Sequence, residues 1–379
     1  MPPIPSMEEC RYIALQLEKG GYESIPPPKE LDLLTAAEFR LLVQQALGSY
    51  RPAPTRRWRL GIAGALQSNA RHFSGLEGMA QDAATVAELK QLTSHISAKA
   101  DELEKNPPFQ PFGREEAIAQ AAASWFKHEF FRWVDPIQCP ACGGETQCTG
   151  SDSPNITERQ GGATRCEIWT CNSCQTPRRF PRLNAIDALI KSREGRCGEF
   201  AQLFYAVCLA LGLEARYVWN SEDHVWTEFW SPTAGHWVHV DSCEAEVGKP
   251  QLYDRGWGKK QAYCLAFGPY GAEDVTRAYV DDWGECLQRR AEKRFGPDGQ
   301  PTGERDLARA LATYTVRQRR NMSEEEKARL SSMDEAQARW IADEKRRDRE
   351  AEERDLRGKG RESGTQEWKE ARGEDGKKD

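Results

Sequence analysis

Long apolar runs are what this sequence most plainly lacks. None of its 379 residues falls in a stretch approaching the roughly eighteen uninterrupted apolar positions that a membrane-crossing helix needs. The opening MPPIPSMEECRYIALQLEKG mixes prolines and charges and holds no signal-peptide core. These absences predict a protein of the cytosol or nucleus with no membrane insertion. A positive surplus is missing too: the formal net charge of −6 gives no overall attraction to nucleic acid or to an anionic membrane. No repeat of fixed period is present, which argues against a solenoid. Cysteine, by contrast, is plentiful at 12 residues, and in a reducing compartment that points to metal binding, catalysis or burial rather than disulfides.

Composition divides the chain. Residues 1–110 are punctuated by proline and otherwise helix-like, with LLTAAEFRLLVQQAL and DAATVAELKQLTSHISAKADELEK each reading as one amphipathic helix. NPPFQPFG then breaks any helix and opens a core over residues 111–290. Within it, EEAIAQAAASWFKHEFFRWV, AIDALIKS and CGEFAQLFYAVCLALG read as helices, the last with a stripe of Phe200, Leu203, Phe204, Val207 and Leu211. The runs ARYVW, HVWTEFW, HWVHV and AYCLAF read as strands. Helices first and strands second predict an α+β fold with an antiparallel sheet. Residues 291–348 form a charged helical extension in which Ser323 and Glu326 make a capping box, and residues 349–379 a solvated, disordered tail.

Two C-x₂-C pairs, Cys139/Cys142 and Cys171/Cys174, carry the clearest chemistry. Four thiolates can surround one zinc ion, and a two-residue spacer lets each pair wrap one side of it. The linker between the pairs is longer than is common in such ribbons, so SDSPNITERQGG reads as an inserted loop. Cys148 and Cys166 lie within the linker and remain alternative ligands, although neither has a partner at the right spacing. A closed four-cysteine site has no coordination position left for substrate, so one structural Zn²⁺ is expected, in a subdomain over residues 135–182. The basic run QTPRRFPR gives slight encouragement to a nucleic-acid contact by this subdomain.

GRCGEFAQLF raises a different question. Glycines on either side of Cys197 permit a close backbone approach, and the apolar stripe that follows sets the thiol at a helix N-terminus, where thiolate is favoured. A base can come from the strands. If HVWTEFW and GHWVHVD form a hairpin that pairs Trp230 with Gly235, His224 falls opposite Asp241, and the carboxylate can orient the imidazole. Cys197 would then attack, His224 shuttle the proton and Asp241 hold the ring. His239, on the same hairpin face, is a rival base.

GRCGEFAQLFYAVCLALGLEARYVW, DHVWTEFWSPTAGHWVHVDSCEA and LYDRGWGKKQAYCLAFG resemble the core of the cytoplasmic peptide:N-glycanases, members of the transglutaminase-like superfamily, and WFKHEFFRWV before the first cysteine pair is similar as well. The resemblance implies a transglutaminase-like (papain-like) catalytic core that hydrolyses the amide joining an N-linked glycan to asparagine in misfolded glycoproteins. Asparagine becomes aspartate. It places the triad on Cys197, His224 and Asp241, the zinc ligands on Cys139, Cys142, Cys171 and Cys174, and substrate contacts on Trp133, Trp237, Glu244 and Trp257. Phe200 stands where the family often has tryptophan. The implied partners are denatured N-glycoproteins and a ubiquitin-like proteasome shuttle factor; nucleic acid is not expected. The alternatives share the fold: a cross-linking transglutaminase, a cysteine protease, or a non-catalytic scaffold that binds DNA or the shuttle factor.

Overall fold

A computed structural model of the chain describes residues 62–134, 137–293 and 303–343. The helix expected in LLTAAEFRLLVQQAL and the tail over 349–379 lie outside the described residues. Three helices, α1 (Ile62–Ala80), α2 (Ala83–Leu92) and α3 (Ile96–Lys105), open the described residues. DAATVAELKQLTSHISAKADELEK is thus two helices, where its periodicity predicted one. The Asp82 side chain caps α2 by accepting the Thr85 N–H at 3.0 Å, and at the other end the Thr93 hydroxyl bonds the Leu89 carbonyl at 2.8 Å. The turn between α2 and α3 lets Leu89 and Ile96 enter one core, both fully buried.

Helix α4 (Arg114–Trp125) starts where Glu116 accepts the Gly113 N–H at 2.9 Å, and it stops well short of the Val134 end that the sequence suggested. A single wide turn over Phe126–Phe130 closes it, with the Phe131 N–H reaching the Phe126 carbonyl at 2.7 Å. That turn releases the chain into β1 (Arg132–Trp133), which pairs in parallel with β5 (Glu194–Gly195). Between the two strands lies a cysteine-bearing lobe: β2 (Thr146–Asp152), α5 (Ile156–Gln160), β3 (Cys166–Cys171) and β4 (Pro177–Pro181), a three-stranded antiparallel sheet, followed by α6 (Ile186–Ser192).

Helix α7 (Cys197–Ala210) is buried on nearly every side. Phe200, Leu203, Phe204 and Val207 are covered as the stripe predicts, but so are Ala201, Tyr205, Ala206 and Cys208, whereas Leu211 is only partly buried. At about 1.5–3 kcal/mol for each large apolar side chain removed from water, this helix anchors the core. Gly212 ends it in the left-handed region at φ +82°, where the chain turns into the sheet.

The sheet is six-stranded and antiparallel, built of β6 (Ala215–Asn220), β7 (His224–Ser231), β8 (His236–Asp241), β9 (Glu246–Val247), β10 (Cys264–Gly268) and β11 (Gly271–Asp274), in the order β11-β10-β6-β7-β8-β9. Alternation along the strands covers both faces. Tyr217, Val225, Phe229, Val238 and Phe267 join α7 in the main core; Val218, Trp226, Cys264 and Ala266 pack with Tyr253, Tyr279 and Ile341. Short α8 (Thr276–Tyr279) and α9 (Trp283–Lys293) follow, and then α10 (Glu304–Arg319) and α11 (Glu324–Ala342), within the charged extension, dock on the sheet. Thr315 bonds the Ala272 backbone, and Gln337 accepts the Trp237 N–H at 3.0 Å. Ser323 caps α11 by accepting the Glu326 N–H at 3.2 Å.

Candidate active site

Cys197 is the first residue of α7, the helix that packs on β6 and β7, and its side chain is partly buried against the main core. The local sequence dictates this start. Glu199 folds back to accept the Arg196 N–H at 3.0 Å, capping the helix, and its Cβ would lie 2.3 Å from any Cβ placed on Gly195. Only glycine fits there. The carboxylate of Glu199 is gripped in turn by Arg182, Nε at 2.6 Å and Nη2 at 3.0 Å. Arg182 also reaches Glu167 of β3 at 3.4 Å, and Arg196 meets both oxygens of Glu167 at 3.1 and 3.0 Å. Two arginines and two glutamates therefore tie the cysteine-bearing lobe to the turn that presents Cys197. Burial alone would raise the Glu167 carboxyl, but Arg196 outweighs it and holds that carboxyl below its usual range.

His224 opens β7, and its Nε2 lies 2.8 Å from Oδ2 of Asp241, at the end of β8. Both side chains are fully buried. The pair forms, but the hairpin register is not the one assumed from sequence. Trp230 faces Trp237, not Gly235, and the strands close at Ser231 and His236. Gly235, at φ +69°, belongs to the turn, where its N–H bonds the Ser231 carbonyl at 2.8 Å. A slip of two residues keeps every side chain on its face, so His224 and Asp241 still meet, with Asn220 of β6 opposite His224. Burial pushes the Asp241 carboxyl up, yet the charge and hydrogen bond of His224 prevail and hold it well below the ordinary range.

His239, the rival base, bonds Tyr253. Its Nε2 lies 2.7 Å from the Tyr253 hydroxyl, and its Nδ1 accepts the Lys249 N–H at 3.3 Å. Trp257 sets its ring 5.3 Å from that of His224, edge to face, and Trp133 pairs with Gly195, two residues before Cys197, its ring 5.5 Å from Phe200. Glu244, in the turn that follows Asp241, is buried, with the Lys127 ammonium 3.7 Å away. Trp237 goes to a different place: it packs with Leu330 and Met333 of α11, its ring 4.4 Å from the Arg216 guanidinium. Tyr253 and Trp226, whose rings stack at 4.5 Å beneath His224, carried no signal beyond ordinary core aromatics in the sequence.

The four cysteines of the two pairs do converge. Their sulfurs all lie within 4.8 Å of one another, with 3.5 Å between Cys139 and Cys174, 3.5 Å between Cys142 and Cys174 and 3.6 Å between Cys142 and Cys171. Four sulfurs about 2.3 Å from a tetrahedral zinc ion would stand roughly 3.8 Å apart, so the cage matches that ion's size. Backbone N–H groups of Ser173 and Cys174 point at the Cys171 sulfur at 3.4 Å, favouring thiolate. The Thr176 hydroxyl and N–H pull the Cys174 thiol down to about 6. Cys148 and Cys166 are not part of the cluster. The arginines of QTPRRFPR are each matched by carboxylates: Arg178 by Glu194, Arg179 by Asp152 and Glu158, Arg182 by Glu199. The sequence's slight case for a nucleic-acid contact here loses its charge surplus.

Against known proteins, residues 147–242 match the sequence model of the transglutaminase-like superfamily, and residues 218–331 that of the Rad4 transglutaminase-like domain. A curated relative from Yarrowia lipolytica, peptide-N(4)-(N-acetyl-beta-glucosaminyl)asparagine amidase, is 36% identical over 294 residues, covering 77% of this chain and 78% of its own. The chain belongs to the peptide:N-glycanase family. The Saccharomyces cerevisiae member is 37% identical over 261 residues, 69% of its length. The Macaca fascicularis member is 41% identical, but the chain spans only 36% of that longer protein. A solved structure of Rad4–Rad23 bound to a 6-4 photoproduct lesion covers 70% of the chain at a TM-score of 0.35 and 14% identity, too distant to carry an argument. Within this glycanase, no helix among the described residues is long and apolar enough to cross a membrane.

Proposed function

We propose that this chain is a peptide:N-glycanase that hydrolyses the β-aspartyl-glycosylamine bond of denatured N-glycoproteins, with Cys197, His224 and Asp241 as its triad. The observation that carries the reading is the buried His224–Asp241 bond of 2.8 Å in a chain of this family, beside a helix that begins at a cysteine. Because Nε2 is committed to the carboxylate, proton transfer falls to Nδ1 of His224. The Cys197 thiolate adds to the side-chain amide carbon, and the oxyanion takes the electron pair. As that pair returns, the C–N bond breaks and His224 delivers its proton to the departing amine, releasing the glycosylamine. Water, giving a proton to His224, then attacks the thioester and frees Cys197, leaving aspartate. Trp133, which neighbours Gly195, is assigned the support of the oxyanion, and Trp257 and Glu244 contacts to peptide or sugar. The surroundings of Trp237 favour packing over substrate contact.

Cys139, Cys142, Cys171 and Cys174 are the residues that would hold one Zn²⁺, which when bound staples the lobe and leaves no coordination position for substrate. The family resemblance further supports a ubiquitin-like proteasome shuttle factor as partner and the cytosol or nucleus as the place of action.

Incubation with a denatured high-mannose glycoprotein tests the assignment. The expected product has lost its glycan and gained about one mass unit at each former glycosylated asparagine, the signature of amide hydrolysis. Cys197→Ala should give neither change. Deglycosylation by that variant would remove Cys197 from the mechanism, and incorporation of an amine at glutamine would identify a cross-linking enzyme instead.

A further inference from the structure

The Asp241 carboxylate is contacted by more than His224. Its Oδ1 accepts the Cys243 N–H at 2.8 Å, while Oδ2, the oxygen used by His224, also accepts the Tyr253 hydroxyl at 3.0 Å. Behind Tyr253 stands His239, at 2.7 Å. The direction of each proton follows from the far end of this chain. Nδ1 of His239 accepts from the Lys249 N–H, so the ring proton sits on Nε2 and is donated to the Tyr253 oxygen. Tyr253 then has its own proton for Asp241. Burial, reinforced by the Asp241 charge, keeps the phenol far above its ordinary range, so Tyr253 is a permanent donor.

A buried tyrosine needs some partner, and satisfying a hydroxyl would by itself explain one hydrogen bond. It does not explain convergence on the same oxygen. Two donors on Oδ2 share its negative charge, so whatever Tyr253 takes is unavailable to the imidazole. The groups facing this carboxylate are His224 from β7, His239 from β8, Cys243 from the turn after it and Tyr253 from the following loop, with Tyr279 of α8 against Tyr253 and Glu228 beyond, bonded to the Tyr279 hydroxyl. Among the interactions described for this cluster, Tyr253 and the Cys243 N–H are the donors that compete with His224.

We propose that Tyr253, aimed by His239, is a positioning residue of this site: it fixes Oδ2 and caps the strength with which Asp241 holds the His224 imidazolium, so that the proton is released readily to the leaving amine. The inference rests on the triad assigned above, and its test does not require turnover. In the Cys197→Ala background, the protonation midpoint of His224 is followed by nitrogen NMR on labelled histidine. Tyr253→Phe keeps the ring stacked on Trp226 and removes the competing donor together with the acceptor of the His239 N–H, so the His224 midpoint should rise, by about three- to tenfold in proton affinity, while 3-fluorotyrosine keeps both contacts. Replacement of Tyr253 by 3-fluorotyrosine, a stronger donor of nearly equal size, should lower it. Opposite displacements establish the role. No displacement, or displacement of the same sign in both, overturns it, and the fluorinated protein keeps the test available should Tyr253→Phe fail to fold. Loss of deglycosylation in wild type would defeat the functional reading, whereas these midpoints would stand or fall separately.

Discussion

The bond between Glu167 and Arg196 offers an asymmetric test of how the lobe is joined to the helix of Cys197. Arg196 is 3% exposed; besides Glu167 it has the Val134 carbonyl at 3.3 Å and the rings of Trp169 and Phe180 at 5.5 and 5.2 Å. Glu167 has more company: Arg182 at 3.4 Å, Arg165 at 3.2 Å and the Trp169 indole N–H at 3.1 Å. Glu167→Gln thus takes the charge from a carboxylate whose two oxygens both meet a buried guanidinium, a change that costs about 3–5 kcal/mol. Arg196→Met leaves a carboxylate that two other arginines still face, and the loss should be about 2 kcal/mol. The order, not the sum, is the prediction. Urea midpoints with zinc in excess would measure both, and the double variant should cost less than the two single losses added. If Arg196→Met proves equal to or worse than Glu167→Gln, the reasoning that the other arginines rescue Glu167 is wrong.

Gly195→Ala should cost about 1–3 kcal/mol and most of the activity, because the new methyl meets Glu199, whose carboxylate Arg182 holds in place; a thermal melt and turnover near wild type would show that the turn yields freely. Asp241→Asn should lower turnover by about 10³–10⁴ through loss of the imidazole's orientation, and an unchanged rate would remove Asp241 from its role. Since the Asp241 carboxyl titrates lower in the folded chain than when unfolded, its stabilising effect is complete above about pH 4 and fades as pH falls further. Acid melts of Asp241→Asn should accordingly show a shallower decline than wild type, and parallel curves would contradict the assignment. A strong chelator should loosen the lobe, read by Trp169 emission, with zinc restoring it; an indifferent signal would mean that the four sulfurs hold no ion.

Much of this was legible because the signals were local. Each cysteine pair sits on one turn, and four strands of the large sheet showed as short aromatic and β-branched runs, whereas the lobe strands β2, β3 and β4 were not among the expected strands. The meeting of His224 with Asp241 survived a wrong register because a two-residue slip preserves the face of a strand, and the error itself came from counting Gly235 as strand when its left-handed conformation places it in the turn. Helix ends were harder. Thr93, whose hydroxyl competes for a helical carbonyl, and the wide turn at Phe126 both end helices whose apolar periodicity continues beyond them. Least legible were Tyr253 and the quartet of Glu167, Arg182, Arg196 and Glu199. Their partners are far away in the chain, and a charged residue that will be buried looks, in sequence, like one that will face water.

The parallel pairing of Arg132–Trp133 with Glu194–Gly195 places the segment that departs for the lobe beside the segment that comes back. The excursion between them therefore starts and ends at neighbouring points, with α6 folded back on the main core through Ile186, Leu189 and Ile190. SDSPNITERQGG is not one open loop, since it holds the end of β2 and all of α5 and its Gly161 carbonyl accepts the Asn184 and Ala185 N–H groups, so a tag or binding peptide is best grafted at the exposed residues 151–153.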